Sequence, residues 1–469
     1  MTAKDPTGRP ADMAMPDEAE AFLAAHPEIE AFDLVLTDAN GVARGKIIRR
    51  HELLGLYTAG RHLPISILGL DILGEDVADT GLVWDQGDAD RRAWPISGSL
   101  RALNGTQPPR GEVMVMLYEL DGSPMLADPR HALIRQIAAL AEMGLRPAGA
   151  FELEFYLLDP DLSTDGTVRP ARDALDGRGG AETDVYSVDR LHGMLPIFDQ
   201  IYADCAAAGI QAETMISEYG RGQYELTLHY REDILHAADD LIRLKRIVRA
   251  AARAHGAVAC FMAKPHAEMA GSGMHIHVSL QDDQGRNIFS ERPGEDPTSS
   301  PALRYAIAGM AAHMGQSMLV FAPHANSWRR FATNSYAPVA PTWGVNNRSV
   351  ALRVPAGDTR ARRIEHRPSG VDANPYLVAT AVLAALRDGL TQKMQPSDPV
   401  TGNGYGAGAR HTMPADWRSA IVAAEGSEFL KTALGPDLHR AFVAIKWAEY
   451  DRMARHVSAM DLAHYLHRS

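Results

Sequence analysis

Carboxylates and histidines recur at two-residue spacing in this chain: Glu152 with Glu154 in FELEF, His275 with His277 in GMHIHVSL, and Glu365 between Arg363 and Arg367 in RRIEHRP. On a strand, residues i and i+2 share a face, so each pair points its charges the same way. Glu218 and Glu225 add two more carboxylates on either side of a Gly-Arg-Gly turn. An isolated pair of this kind is most often a solvated strand face. Here Phe151, Leu153, Phe155 and Tyr156 surround the glutamates, and carboxylates stacked inside a protein repel one another and pay for lost hydration. Bound cations are the usual remedy. Glu152, Glu154, Glu218, Glu225 and Glu365 with one or two histidines form an oxygen-rich donor set, which favours Mg²⁺ or Mn²⁺ over zinc. Arg329, Arg330, Arg348, Arg353, Arg362, Arg363 and Arg367 crowd one stretch. They read either as surface salt bridges or as a clamp for phosphate and substrate carboxylate.

The elements that must carry these groups alternate between strands and helices. FDLVLTDANGVARGKIIRR alternates apolar and polar residues around Asn40-Gly41, a hairpin signal, and EVMVMLYEL (112–120) is a second strand. A small β-rich unit thus closes near Asp121-Gly122. Asp128-Pro129 opens a helix with Leu133, Ile134, Ile137 and Leu140 as its stripe and Gly144 at its end. The strand AFELEFYLLD follows, then a Gly/Asp/Arg-rich loop at 160–183, and one helix is expected over Leu191 to Ala208. GIQAETMISEYGRGQYELTLHY reads as strand–turn–strand, Ala237 to His255 as a helix, and VACFMAKP and GMHIHVSL as strands. The pattern is α+β. Residues 1–15 are expected to be disordered, 16–124 to form the N-terminal domain and 125–469 the catalytic one.

Bulk properties exclude several functions. A net charge of −12 argues against a coat for nucleic acid or anionic membrane. Cys205 and Cys260 alone make no disulfide framework, and the acidic N-terminal stretch lacks the apolar core of a signal peptide. Ala306 to Ala322 is broken by His313 and Gln316 and reads as a buried helix, so a cytoplasmic protein is expected.

Five blocks, FELEF, the Glu218–Glu225 turn with Gly222-Gln223 inside it, GSGMHIHVSL, NNRSVALRVP and ARRIEHRPSGVDANPYL, resemble the signature segments of type I glutamine synthetase in order and spacing. The resemblance implies a β-grasp-like N-terminal domain, a catalytic domain with a curved antiparallel sheet, and a dodecamer of two hexameric rings with shared active sites. It implies that Glu154, Glu218 and Glu225 hold the metal nearer the amino-acid substrate, and that Glu152, His275 and Glu365 hold the metal at the ATP phosphates. Gly271, Arg330 and Arg367 match glutamate-binding positions. Arg348 and Arg353 match phosphate-binding ones, and Glu213, His277, Ser279 and Arg363 match the nucleotide side. Arg330, Arg348 and Arg367 are thus the candidate catalytic arginines. The implied chemistry is phosphorylation of the glutamate γ-carboxylate by ATP, then displacement of phosphate by an amine.

Departures from the family pattern point to the amine. The family's flap, NSYKRxxPGYEAP, reads NSWRRFATNSYAP here, placing Tyr336 where a glutamate assists ammonium. LPISI stands for FDGSS, placing Pro64 where an aspartate binds ammonium. Ammonium needs carboxylates around it, so the pattern resembles the γ-glutamyl–amine synthetases that use polyamines, ethanolamine or other monoamines. Tyr336 would line the amine pocket, with Trp343 as a second candidate, and core packing is the alternative for both. Ammonia-using glutamine synthetase and a non-catalytic binding or regulatory protein are the other readings; the latter predicts eroded metal ligands. Ala270 and Met215-Ile216-Ser217 replace family residues on the glutamate and phosphate sides, so a glutamate analogue stays open as acyl donor. Tyr405, in TGNGYGAG, lies near a position that is adenylylated in some family members, so the resemblance raises regulation there as a reading.

Overall fold

The computed structural model describes all residues except 1–9, 11–12, 164–165, 176, 178, 180–183, 293, 407–412 and 469. Two sheets organise it. The first contains β1 (Ala31–Thr37), β2 (Ala43–Arg49), β3 (Arg61–Pro64), β4 (Asp90–Pro95), β5 (Arg101–Leu103) and β6 (Arg110–Tyr118), in the order β2-β1-β6-β4-β3 with β5 beside β6. β1 and β2 form the expected antiparallel hairpin, and β1 runs parallel to β6. Asp38 fixes the hairpin turn by accepting from the amides of Asn40 and Val42 at 2.9 and 2.8 Å.

The second sheet contains β7 (Arg146–Leu158), β8 (Ala212–Ser217), β9 (Gln223–Leu228), β10 (Val258–Cys260), β11 (Met274–Gln281), β12 (Trp343–Val345), β13 (Leu352–Val354) and β14 (Ile364–His366). Its order is β12-β13-β14-β11-β7-β9-β8, with β10 beside β7, and it is antiparallel apart from the β12–β13 pair.

β6 joins the two halves through its pleat. Val113, Val115 and Leu117 enter the core under the N-terminal helices, whereas Met114, Met116 and Tyr118 enter the larger catalytic core. Behind the catalytic sheet, the helices Pro129–Ala141, Ile234–Ala254 and Pro375–Gln392 meet at a buried ion pair. Arg130 donates to Asp239 through Nε and Nη2, both at 2.8 Å, and the Tyr376 hydroxyl donates to the same carboxylate at 2.7 Å. Asp239→Ala leaves a buried guanidinium unpaired, so it is expected to cost about 3–5 kcal/mol, read as a lowered urea midpoint. An unchanged midpoint would contradict this account.

Three sequence expectations need comment. The helix over Leu191 to Ala208 is two helices, Val188–His192 and Leu195–Ala207. Pro196 cannot donate back into the preceding turn, so the helix restarts at Gly193-Met194. Of the segment 1–15, residues 1–9 and 11–12 lie outside the described residues, but Met13 and Ala14 are buried and the Ala14 amide donates to Pro95 at 3.3 Å. Order therefore begins before Pro16, because two apolar residues find core to fill. The segment around Ala306 to Ala322 is the helix Pro301–Phe321, and among the described residues no helix is long and apolar enough to cross a membrane.

Candidate active site

Strand register assembles the site. Glu152 pairs with His275 across β7–β11, Glu154 with Glu225 across β7–β9, and Glu365 with His277 across β11–β14 and with Arg353 across β13–β14. Directly paired residues point to one side, so one sheet face gathers these groups. Alternate positions such as Leu153, Phe155 and Ile276 fill the core behind.

Glu152 is the centre. Its Oε2 lies 2.9 Å from His275 Nδ1 and its Oε1 lies 2.7 Å from His277 Nε2. Arg363 Nε donates to His277 Nδ1 at 3.0 Å, which assigns the proton of His277 to Nε2 and directs it at Glu152. Burial raises the cost of the Glu152 charge, but His277 and His275 outweigh it and hold the carboxyl well below the usual range. Glu365 behaves alike: against the penalty of burial, Arg367, His277 and His275 hold it down at about 2. Arg353 Nη1 donates to Glu365 Oε2 at 2.8 Å, and Arg367 Nη1 donates to Glu365 Oε1.

Glu218 and Glu225 stand among further carboxylates. Burial, then Glu152, Glu154, Glu218 and Glu365, push Glu225 well above its ordinary value. Burial and the Glu154 charge push Glu218 up to about 7. Glu154 is anchored by the Gly273 amide, which donates to its Oε2 at 2.6 Å.

This donor set fits a divalent cation. Glu152, Glu225 and His275 offer ligand atoms within 4.8 Å of one another, and so do Glu152, His277 and Glu365. Both groups contain Glu152; in the expected trio of Glu152, His275 and Glu365, His275 Nδ1 lies 2.9 Å from Glu152 and 3.6 Å from Glu365, and His277 stands beside them.

The remaining candidates fall at the edges. Arg330 is buried, donating to the carbonyls of Pro368 and Arg367 at 2.8 and 3.3 Å. A Cβ on Gly271 would lie 2.7 Å from Arg330 Cγ, so glycine is needed there for the close approach. Arg348 is exposed and close enough to Glu218 to act on its charge. Ser279 is buried on β11, its Oγ 3.2 Å from the Tyr230 hydroxyl. Glu213, on β8, is exposed and paired with His229 at 2.5 Å. Pro64 closes β3 in the N-terminal sheet, paired with Asp90 of β4. Trp343 is no pocket wall: it is 1% exposed and its Nε1 donates to Ser397 at 2.7 Å. A large apolar ring with a satisfied N–H is core.

Tyr336 sits at the mouth, 49% exposed, with its backbone carbonyl 3.5 Å from Arg367 Nη2. Its ring stacks on Tyr219, a residue that sequence reasoning passed over as part of the turn. Gln223, named in the sequence as part of the signature turn, holds that turn by accepting from the Gly220 amide at 2.9 Å and donating to Gly271 at 3.0 Å. The Tyr405 hydroxyl donates to Ala337 at 3.2 Å, tying down the segment that carries Tyr336.

Residues 126–465 match the family described as glutamine synthetase, catalytic domain. The chain belongs to the glutamine synthetase family. It is 40% identical over 392 residues to the γ-glutamylputrescine synthetase of Escherichia coli, a match covering 83% of this chain and 82% of that protein. It is 34% identical over 456 residues to the γ-glutamylethanolamide synthetase of Streptomyces coelicolor, covering 95% and 93%. A solved structure of ligand-free GmaS superposes with a TM-score of 0.83 at 27% identity, covering 97% of this chain and all of that one. The described fold, two sheets with a carboxylate face on the larger, is thus the family's.

Proposed function

We propose that this chain is an ATP-dependent ligase that joins the γ-carboxylate of glutamate to an organic amine. The observation that carries this reading is a complete carboxylate, imidazole and guanidinium face whose mouth presents a tyrosine stack in place of a further carboxylate. Relatives named for putrescine and ethanolamide chemistry support the same class of acceptor. Mg²⁺ or Mn²⁺ fits the oxygen-rich donor set, with Glu152, Glu154, Glu218, Glu225, His275, His277 and Glu365 as the residues available to hold it.

In the first step a γ-carboxylate oxygen of glutamate attacks the terminal phosphorus of ATP, forming γ-glutamyl phosphate and releasing ADP. The amine nitrogen then attacks the acyl carbon, phosphate leaves, and the nitrogen gives up a proton. A bound cation would draw charge off the transferring phosphoryl group. Arg348 and Arg353 are the phosphate-side guanidinium groups. Arg330 and Arg367 stand toward the glutamate, and their backbone and carboxylate hydrogen bonds fix them before substrate arrives. Arg363 holds His277 toward Glu152 on the nucleotide side, where Ser279 and Glu213 complete the proposed set. The same reading places the protein in the cytoplasm as a dodecamer of two rings, in which Pro64 of one subunit faces the site of another; a mass near twelve chains in solution would support it.

The test is phosphate release with ATP, Mg²⁺ and glutamate across ammonium, ethanolamine, putrescine, spermidine, short monoamines and aniline. Turnover with ammonium above every organic amine would sink the reading. Tyr336→Glu should improve kcat/KM for ammonium relative to alkylamine by roughly tenfold, the worth of one charge-assisted hydrogen bond. An unchanged ratio would show that position 336 does not select the amine.

A further inference from the structure

Three tyrosines from separate segments gather beside Glu218. Tyr219 follows it directly, and the Tyr219 amide donates to Glu218 Oε2 at 3.2 Å. Tyr336 stacks on Tyr219 with ring centroids 5.5 Å apart and planes at 26°. Tyr186 is brought to the same end of β8 by its amide, which donates to the Ser217 carbonyl at 2.9 Å, and its phenol is near enough to act on Tyr219 electrostatically.

Neither packing nor backbone ease accounts for them. Tyr186, Tyr219 and Tyr336 are 57%, 44% and 49% exposed, so none fills the core. Tyr186 and Tyr336 have φ of 61° and 59°, a left-handed conformation that bulky residues rarely adopt. Strain of this kind persists only where the surroundings impose it, and it gathers at ligand sites. Here Arg367 reaches the Tyr336 carbonyl, and the Tyr405 hydroxyl holds the next residue.

We propose that Tyr186, Tyr219 and Tyr336 form an aromatic acceptor subsite that selects a primary alkylammonium over ammonium, with Tyr219 as the residue that sets the preference. The inference rests on the ligase reading above. Ring faces attract a cation, and they also cover methylenes. Ammonium has no methylene to cover, and rings replace its hydration poorly. An alkyl chain lying along the stack should gain roughly fourfold in affinity per methylene until it outruns the rings. Glu218, Glu154, Arg348 and Arg367 are charged groups at this spot; the carboxylates favour a cation and the guanidinium groups set how close it comes.

The test is titration calorimetry with n-butylammonium as probe, on the full-length protein in Mg²⁺, ADP and glutamate. The wild type should bind it more tightly than methylammonium. Tyr219→Ala should weaken binding at least tenfold, and Tyr219→Phe should stay within about threefold, since the ring face and not the hydroxyl does the work. Both side chains are exposed, and a circular dichroism spectrum would check that each variant is folded. Equal affinity in wild type and Tyr219→Ala, or no butylammonium binding in the wild type, overturns the subsite. Amide synthesis is measured alongside. If calorimetry gives the expected pattern but no amide forms with any amine, the ligase reading fails and the subsite stands. If amide forms but Tyr219→Ala leaves the butylamine-to-ammonium ratio unchanged, the subsite fails and the ligase reading stands. A supporting result puts the change in the KM for the amine rather than for glutamate.

Discussion

Glu152→Gln is expected to lower amide synthesis roughly a thousandfold, about 4 kcal/mol of lost transition-state stabilisation, while the fold survives. Glu152 belongs to both groups of candidate metal ligands, so its charge serves either placement of the cation. The amide oxygen of Gln can still accept from His277, which preserves part of the network. Loss of the negative charge also removes a repulsion that bears on Glu225, second only to burial among the causes raising it. These opposing terms leave stability within about 1 kcal/mol of wild type. Phosphate release and the urea midpoint separate the two effects. An activity loss below tenfold would remove Glu152 from the ligand set, and a collapsed midpoint would make the loss structural. A non-catalytic relative with a vestigial site would show neither activity nor any change in Mn²⁺ binding on this substitution.

The parts of the site that could be read in the sequence are those built on regular strands. Period-two spacing put Glu152 with Glu154 and His275 with His277 on common faces, and the register of β7 with β11 joins those faces. Spacing along one strand carries no information about which residues meet across strands. That is why spacing alone could not join His277 to Glu365: the two meet because β14 pairs opposite β11, a long-range contact. The aromatic mouth was half visible. Tyr336 stood out by its departure from a family segment, whereas Tyr219 and Tyr186 looked like turn and loop residues, and only the packing of three segments brings them together. Trp343 takes the other of its two readings, an aromatic near the site in sequence that serves the core. The break at Gly193-Met194 was legible in principle from Pro196, but the apolar stripe on either side hid it.

Without metal, Glu218 and Glu225 should cost the protein stability as pH rises from about 5.5 to 8, and saturating Mn²⁺ should suppress that loss. Glu218 titrates at about 7 in the folded chain against an ordinary value of 4.5. The folded state therefore holds this proton more tightly than the unfolded chain does. The stabilisation is fully present below about pH 4.5 and is lost as pH rises through the folded value of about 7. Glu225 is shifted in the same direction by burial and four neighbouring carboxylates. Glu152 and Glu365 are shifted the other way, so their contribution is complete above the ordinary carboxylate range and is lost only in acid. Lys245, pushed down to about 7 by burial, and His366, pushed down to about 3 by burial and the neighbouring His275, work in the opposite direction in the window from 5.5 to 8, so the raised pair is read from differences with metal and with the Glu218 variant. Allowing for solvent screening at Glu218, its share is on the order of 2 kcal/mol, or about 2 °C in Tm for a chain of this length. A cation among the carboxylates takes the proton's place, so the gain in Tm from Mn²⁺ should be larger at pH 8 than at pH 5.5. Thermal melts at the two pH values, with and without Mn²⁺, measure it directly. Glu218→Gln supplies the control, because it carries no titrating charge and should make the metal-free dependence of Tm on pH less negative than in the wild type. A metal-free slope that Glu218→Gln leaves unchanged, or a Mn²⁺ gain equal at both values, would show that these carboxylates are not the ones a cation relieves.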